Sequence, residues 1–404
     1  MTTITRNTQY YKFCLYGFLK NLRFFDAFMI LFLMEKGMSF TNIGILYAVR
    51  EIVINIVEIP SGIIADSFGR KSSLIGSFLF YIISFVLFYM SISFVSLLIA
   101  FIFFGIGDAF RSGTHKGIIM DYLIINGWQN QKINYYGHTR SWSQRGSALS
   151  ALVAGALVFY SGSYNQIFLY AVVPYIINII NVASYPVQLN YSSSLKPSQT
   201  IKQTIISFFS TIKNRRVLKL INSSALHTAY LGAVKDYIQP VMVSVILLIP
   251  LLSNIDETKK MGFFIGVFYF VIYMLTSLMS AISGRIAYKS KRNLAFITLL
   301  IGFGAGVVSG LLYWHSYLIF AAVAFVVIFM VENVRKPILT GYVADNVDNS
   351  ILTSVISAQS QLKTIITAVL ALVFGLLADY VGIGGAMVSI SATLFVASIV
   401  IRKI

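Results

Sequence analysis

Charged side chains are scarce in this chain. They make up 11% of its 404 residues, whereas soluble domains carry roughly 25%. Hydrophobic residues make up 57%, and the mean hydropathy is +0.79. These values exclude an ordinary soluble domain. A spanning helix needs about 20 mostly apolar residues, and the sequence contains twelve segments of about that length. We therefore predict an all-α integral membrane protein with twelve transmembrane helices.

Residues and motifs that other functions need are also rare or missing. Cys14 is the only cysteine, which excludes an internal disulfide and a thiolate metal cluster, and we expect no metal and no cofactor. No G-x-x-x-x-G-K-S/T stretch occurs, which argues against an ATP-driven pump. The few histidines are scattered and form no catalytic cluster, so a membrane-embedded enzyme is a less favoured alternative. The N-terminal residues lack the features of a signal peptide.

Acidic residues are few beside basic ones, 14 against 31, which gives a formal net charge of +17. Sixteen bases fall in the termini and in one set of predicted loops, whereas only Lys36, Lys259 and Lys260 fall in the opposite set. By the positive-inside rule, both termini are predicted to be cytoplasmic, in a bacterial inner membrane. An anionic lipid leaflet explains this excess of bases, so we expect the lipid bilayer and no nucleic acid as partner.

A pattern of charges occurs twice along the chain. Asp108, Arg111 and Asp121 have the same spacing as Glu332, Arg335 and Asp345, at a shift of 224 residues. A Ser-Gly-x-x-Ala stretch at residues 61–65 recurs at residues 283–287, at a shift of 222. Between the copies, residues 190–215 are Ser-rich and basic and form a predicted cytoplasmic linker. We therefore expect an N-terminal six-helix bundle at 1–189 and a C-terminal six-helix bundle at 216–404.

The most specific motif is GIIADSFGRK at residues 62–71. It fills every position of G-x-x-x-D-x-x-G-R-K and resembles the signature loop between helices 2 and 3 of the major facilitator superfamily of secondary transporters. The matching residues are Gly62, Asp66, Gly69, Arg70 and Lys71. Gly62 is expected to let another helix approach closely, and Gly69 to permit the sharp reversal before the two bases. In the resembled family, the acid and bases of this loop act as a conformational latch.

The resemblance implies two six-helix bundles related by a pseudo-two-fold axis, with the substrate site near the midplane between them. The layout is similar to that of the twelve-helix drug and metabolite exporters of the superfamily. We accordingly expect a transporter and not an enzyme, with a small-molecule substrate, protons as the coupling ion and a monomeric state.

Ionisable side chains inside membrane segments are functional candidates, because each costs at least about 2.5 kcal/mol on insertion scales. For proton coupling, the candidates are Asp26, Glu51, Asp108 and His115. For substrate binding, the candidates are Arg23, Arg111, Arg140, Gln144, Glu332, Arg335 and Lys336. For two pairs three residues apart, a structural ion pair is the alternative role. These pairs are Asp108–Arg111 and Glu332–Arg335.

Bases outnumber acids within the predicted membrane segments. An interior with that surplus favours anionic or zwitterionic solutes over lipophilic cations. We therefore predict a secondary active transporter that alternates access and performs proton-coupled export of a small amphipathic or anionic molecule. Proton-coupled uptake of a polar or anionic metabolite is the alternative, followed by a membrane-embedded enzyme or a solute sensor.

Overall fold

The computed structural model describes residues 4–190, 215–252, 254–289, 294–346 and 349–403. Within these ranges the secondary structure consists of α-helices and short 3-10 turns, without a strand. The first half of the chain forms α1 (Thr8–Leu19), α2 (Met29–Glu35), α3 (Phe40–Phe68), α4 (Arg70–Met90), α5 (Phe94–Arg111), α6 (Thr114–Ile125), α7 (Lys132–Ser161) and α8 (Gln166–Ala183). The second half forms α9 (Arg215–Val234), α10 (Ile238–Leu247), α11 (Glu257–Lys289), α12 (Leu294–Trp314), α13 (Leu318–Asn346) and α14 (Asn349–Lys403). The predicted linker at 190–215 lies almost wholly outside the described residues.

Seven stretches of the described chain are long and apolar enough to cross a membrane. One of them, Phe94–Ile125, joins α5 and α6 into a single crossing. Another, Ala358–Val400, has 43 residues, about twice the length that one crossing needs. It bends at Gly382, whose φ of 75° glycine adopts without strain. The predicted all-α membrane fold is confirmed.

Three crossings are broken near their middle. Residues 20–28 separate α1 from α2, residues 112–113 separate α5 from α6, and a 3-10 turn, Lys235–Tyr237, separates α9 from α10. Backbone groups freed by such breaks need other partners at membrane depth. Gln239 of α10 supplies them at the first break, because its Oε1 accepts from the Ile30 backbone N–H at 2.8 Å and its Nε2 donates to the Asp26 carbonyl at 3.0 Å. A side chain of the second half thus satisfies backbone hydrogen-bonding groups at the break in the first crossing.

Two helix pairs pack the halves against each other through glycines. A Cβ added to Gly44 of α3 would lie 3.1 Å from the Cα of Gly375 in α14. A Cβ added to Gly155 of α7 would lie 2.8 Å from the Cα of Gly266 in α11. Larger side chains would force these backbones apart, so the small residues permit the close approach typical of packed transmembrane helices.

The end of the molecule at which α3 begins is closed by polar contacts between the halves. Asp379 of α14 accepts from the backbone N–H groups of Phe40 at 2.9 Å and Thr41 at 2.7 Å, so its carboxylate caps the first turn of α3. Deeper along α3, the Tyr47 hydroxyl donates to the Asp236 carboxylate at 2.9 Å. We call this side of the molecule the closed end.

Candidate functional site

A cavity of about 690 Å³ lies between the two halves. Its walls come from α1, α3, α5, α6 and α7 of the first half and from α13 and α14 of the second. Along these helices the lining positions run from the middle toward the side that carries the α3–α4 turn. The cavity therefore opens opposite the Asp379 cap, and we call that side the open end.

The cavity wall carries more bases than acids. The acids are Glu51, Glu58 and Asp108, and the bases are Lys20, Arg50, Arg111, Lys116, Arg140, Lys336 and Lys363. Seven positive charges against three negative ones give these lining residues a formal charge of +4. Two of the bases belong to the second half, so both halves contribute positive charge to the same space.

Asp108 lies at the centre of a cluster of arginines and tyrosines. Its Oδ1 accepts from Arg111 Nη2 at 2.9 Å, from Arg23 Nη2 at 3.3 Å and from the Tyr81 hydroxyl. Arg111 Nε donates to the Tyr81 hydroxyl, and Arg23 Nε donates to that of Tyr175, both at 2.8 Å. The i, i+3 ion pair considered as the alternative role of Asp108 and Arg111 is present, and a second arginine joins it. With two guanidinium groups and one carboxylate, the cluster keeps a net positive charge beside the cavity.

The other proton-coupling candidates have different surroundings. Glu51 is 4% exposed, and its Oε1 accepts from Arg50 Nη2 at 2.5 Å. Its Oε2 is buried and has no hydrogen-bond partner among the described residues. The ring of His115 stacks on that of Tyr16, with the centroids 3.5 Å apart. Glu51, Asp108 and His115 line the cavity, whereas Asp26 lies in the break between α1 and α2, outside the lining.

Two second-half candidates lie behind the cavity wall. Glu332 is 6% exposed and accepts from Thr228 Oγ1 at 2.5 Å, and its Oε2 is 2.7 Å from His227 Nδ1. Arg335 is 2% exposed and donates to Thr298 Oγ1 at 2.7 Å and to the Ala295 carbonyl. Both side chains are thus held within the second half, and neither lines the cavity.

The structure separates the substrate-binding candidates into two groups. Arg111, Arg140, Gln144 and Lys336 line the cavity. Arg23, Glu332 and Arg335 are absent from the described lining and bind protein groups. The first group can reach a solute directly. The substrate-binding roles themselves stay predictions.

The contacts that the structure describes for Arg70 and Lys71 of the signature loop lie within the first half. Gly69 has a φ of 100°, as its predicted role in a sharp reversal requires. Arg70 Nη1 donates to Asp121 Oδ2 at 2.6 Å, and Lys71 Nζ donates to the Tyr185 carbonyl at 2.9 Å.

Two residues of the loop bear on its expected role as a latch. Among the described residues, no atom lies within 4 Å of a Cβ built on Gly62, so the close approach expected there stays a prediction. The Asp66 side chain lies outside the described residues. A latch between the halves across this loop stays a prediction.

Sequence reasoning overlooked Gln239, Tyr81 and Tyr175. Gln239 is fully buried at the contact between the halves, and the two tyrosines bind the arginines around Asp108. A polar Gln just before Pro240 in an apolar segment is a signal that could have identified the first of them. Nothing in the sequence distinguishes the two tyrosines from the 22 others.

A cavity between two helical halves, closed at one end and open at the other, defines a membrane carrier. The family model of the Major Facilitator Superfamily matches residues 16–365. The chain therefore belongs to the Major Facilitator Superfamily, and the fold of two six-helix bundles implied by the signature loop is confirmed. The protein is accordingly a transporter and not an enzyme.

Solved structures support the same fold. The nucleoside transporter NupG superposes with a TM-score of 0.76 at 14% identity, covering 98% of this chain and 100% of that one. A bacterial homolog of the human lysosomal transporter Spinster, inward-facing and unoccupied, superposes with a TM-score of 0.71 at 14% identity, covering 97% and 96%. The MFS-type transporter YxaM of Bacillus subtilis is 36% identical over 92 residues. That match spans 23% of this chain and 23% of YxaM.

Proposed function

We propose that this transporter exports a small anionic solute and couples export to protons. The observation that carries the proposal is the positive wall of the cavity, to which both halves contribute bases. A cleft of low dielectric constant that is lined mainly by one sign of charge concentrates solutes of the opposite sign. Intramembrane bases of this kind are also costly to keep without a functional reason.

Four wall residues are proposed to contact the solute: Arg111, Arg140, Gln144 and Lys336. Arg140 is exposed to the cavity and forms no ion pair among the described residues. Its planar guanidinium group can bind a carboxylate or phosphate through two parallel hydrogen bonds. Gln144, one helical turn further along α7, can accept or donate a hydrogen bond to the uncharged part of the solute.

The proposed cycle follows from which end is closed. In the described conformation the solute enters at the open end, and the contacts of Asp379, Tyr47 and Gln239 seal the other end. Bound anion reduces the repulsion between bases of the two halves and so favours their approach at the open end. In the alternate conformation, Asp66, Arg70 and Lys71 are proposed to latch the halves together at that end.

The direction of transport rests on the position of the opening. The open end carries the Gly69 turn and the N-terminal end of α1, which the distribution of bases predicts to be cytoplasmic. A carrier that is open to the cytoplasm with a positive cavity can load an anionic solute from the cell interior. This supports export, with uptake as the second candidate.

The first test compares two arginines of α7. Arg140→Gln removes a cavity charge, whereas Arg145→Gln removes one that lies against the Trp142 ring, with 4.8 Å between the guanidinium carbon and the ring centroid. We expect bacteria that express the intact protein or Arg145→Gln to release an anionic metabolite into the medium, as detected by mass spectrometry. Arg140→Gln should reduce that release about tenfold or more, the loss of one charged hydrogen bond.

Two results would contradict the proposal. A released compound that is neutral or cationic would rule out an anionic solute. Equal release from cells with Arg140→Gln and from cells with the intact protein would rule out the proposed role of Arg140 in binding it. A compound that disappears from the medium and accumulates in the cells would reverse the direction and establish uptake.

Proton coupling is proposed to involve Glu51, because it lines the cavity and one of its carboxylate oxygens is buried without a partner in the described part of the chain. Glu51→Gln fixes this side chain in a neutral form. In proteoliposomes, we expect the variant to exchange solute for solute but to lose the stimulation of flux by an imposed pH gradient. Glu35→Gln, at an exposed acid that ends α2, is the matched control. An unchanged response of Glu51→Gln to the gradient would assign coupling to another group.

A further inference from the structure

The two halves meet along an antiparallel contact between α3 and α14, which we call the seam. A step forward along α3 is matched by an equal step back along α14, since the described contacts join residue 40 to 379, 44 to 375, 55 to 364 and 58 to 361. At a rise of 1.5 Å per residue, the matched stretch is about 27 Å long. The seam thus runs from the closed end to the cavity, whose wall includes Glu58.

The chemistry of the seam changes along its length. At the closed end it consists of the Asp379 cap on Phe40 and of backbone packing between glycines. Further along, side chains bond to each other across it. Asn55 Nδ2 donates to Thr364 Oγ1 at 2.7 Å and to the Gln361 carbonyl at 3.0 Å. The Thr364 hydroxyl can accept this bond because it donates its own proton to the Gln361 carbonyl, at 2.9 Å.

Glu58 adds two further bonds across the seam, one turn beyond Asn55. Its Oε1 accepts from Ser360 Oγ at 3.1 Å, and its Oε2 accepts from Gln361 Nε2, also at 3.1 Å. Within its own half, Glu58 Oε1 accepts from Ser112 Oγ at 2.9 Å. We call the residues that bond across the seam at this level the clasp: Asn55, Glu58, Ser360, Gln361 and Thr364.

The clasp lies near mid-depth in the membrane. Asn55 is the sixteenth of the 29 residues of α3. Thr364 is the sixteenth of the 34 residues from the start of α14 at Asn349 to its bend at Gly382. The contact therefore joins the middle of one helix to the middle of the other. Polar side chains at that depth hold neighbouring transmembrane helices together through their hydrogen bonds.

This position suits a contact that is kept during transport. Two halves that rock as rigid bodies around a central site move apart most at their ends and least at mid-depth. The Asp379 cap at the end of the seam must therefore break when the closed end opens. The clasp lies where the relative movement is smallest, so its short hydrogen bonds can be retained.

We propose that the clasp is the pivot of this carrier. Its hydrogen bonds persist in both conformations, while the Asp379 cap and the contact between Gly44 and Gly375 separate when the closed end opens. This inference deepens the proposed cycle of alternating access and rests on it. Since Ser360 and Thr364 also line the cavity, the pivot keeps this part of the wall beside the solute throughout the cycle.

Disulfides at two levels of the seam provide the test. Asn55→Cys with Thr364→Cys links the clasp, and Thr41→Cys with Asp379→Cys links the closed end, where Asp379 Oδ2 accepts from the Thr41 N–H at 2.7 Å. Both pairs are made with Cys14→Ser, which removes the only native cysteine. Ala371→Cys adds a reporter thiol at a position that is 2% exposed. Along α14 the reporter lies about 10 Å or more from either linked position, too far to form a disulfide itself.

The measurement is the rate at which a polar maleimide labels the reporter thiol before and after oxidation. We expect the closed-end disulfide to slow labelling about tenfold or more and the clasp disulfide to change it about twofold or less, because a buried thiol reacts only when the structure opens. Reduction should restore the first rate. Glu58→Cys with Ser360→Cys gives a second clasp pair, for use if the first pair impairs folding.

Two results would overturn the pivot. One is slowing of similar size by the clasp and closed-end disulfides, which would mean that the clasp must also separate. The other is failure of both clasp pairs to link under oxidation that links the closed end. The labelling involves no solute, whereas anion export is tested by the compound that cells release. Either proposal can therefore fail while the other stands.

Discussion

Asp108→Asn is expected to lower the free energy of unfolding by about 3 kcal/mol, the lower part of the range for removing one partner of a buried ion pair. The lower part applies because the Asp108 side chain keeps 14% of its surface exposed. The substitution leaves the guanidinium groups of Arg23 and Arg111 without their shared carboxylate. Their remaining partners are tyrosine hydroxyls, which carry no compensating charge.

Thermal unfolding of the purified protein measures this effect. Asp108→Asn should unfold at a clearly lower temperature, and adding Arg111→Gln should restore part of the loss, because the double variant has one unpaired arginine fewer. Glu35→Gln, an exposed acid, should unfold like the intact protein. If Asp108→Asn leaves the unfolding temperature unchanged and alters only the pH dependence of flux, then Asp108 serves proton coupling, as the sequence first suggested, and not the integrity of the cluster.

The sequence was sufficient to predict the membrane architecture. Long apolar segments have one stable solution in lipid, a helix with its backbone hydrogen bonds satisfied internally. The signature loop identified the family, and the i, i+3 spacing of Asp108 and Arg111 indicated an ion pair as their alternative role, a pair that the structure contains at 2.9 Å. These features depend on local pattern and on chain length, which a single sequence displays directly.

The partners of the buried charges were not predictable in the same way. A charged stripe on a transmembrane helix must avoid lipid, but it can face either the cavity or the interior of its own bundle. Lys336 faces the cavity, while Arg335, its neighbour on α13, faces α12 through Thr298. The choice depends on how each helix is rotated in the bundle, and packing between distant segments sets that rotation.

The apolar pattern of the sequence also did not predict the breaks in the helices. Residues 20–28 read as part of one continuous hydrophobic segment, yet the chain leaves the helix there. The break is compatible with a membrane because Gln239 from the other half binds the freed backbone groups. Gln239 lies 209 residues from Ile30 in the sequence, so no local sequence pattern connects the break with the residue that compensates for it.

Gln239→Leu is therefore expected to shift the carrier strongly toward the conformation that opens at the present closed end. Leucine has a similar size but leaves the Ile30 N–H and the Asp26 carbonyl without their partner. Each buried group left unsatisfied costs about 1–3 kcal/mol. The sum for the two groups, about 2–6 kcal/mol, corresponds to a change of about 30-fold or more in the ratio of the two conformations. The cost falls on the described conformation, because opening this end lets water reach both backbone groups.

The accessibility of a single thiol can measure this shift. Cys14→Ser removes the only native cysteine, and Ala371→Cys places a thiol at a position that is 2% exposed, where the Ala371 carbonyl packs against Gly44 across the halves. A polar maleimide should label this thiol slowly in the parent and much faster when Gln239→Leu is added.

Gln144→Leu provides the matched control for labelling, since Gln144 lies on the wall of the open cavity, where loss of its side chain breaks no contact that seals the closed end. If labelling is faster with Gln239→Leu but not with Gln144→Leu, then the hydrogen bonds of Gln239 set the conformational balance. These three bonds join it to Ile30, Asp26 and Tyr269. Unchanged labelling together with a lower unfolding temperature would instead mean that Gln239 stabilises both conformations and does not act as a gate. The distinction matters for transport, because a gate residue alters the rate of alternation, whereas a purely structural one alters only the amount of folded protein.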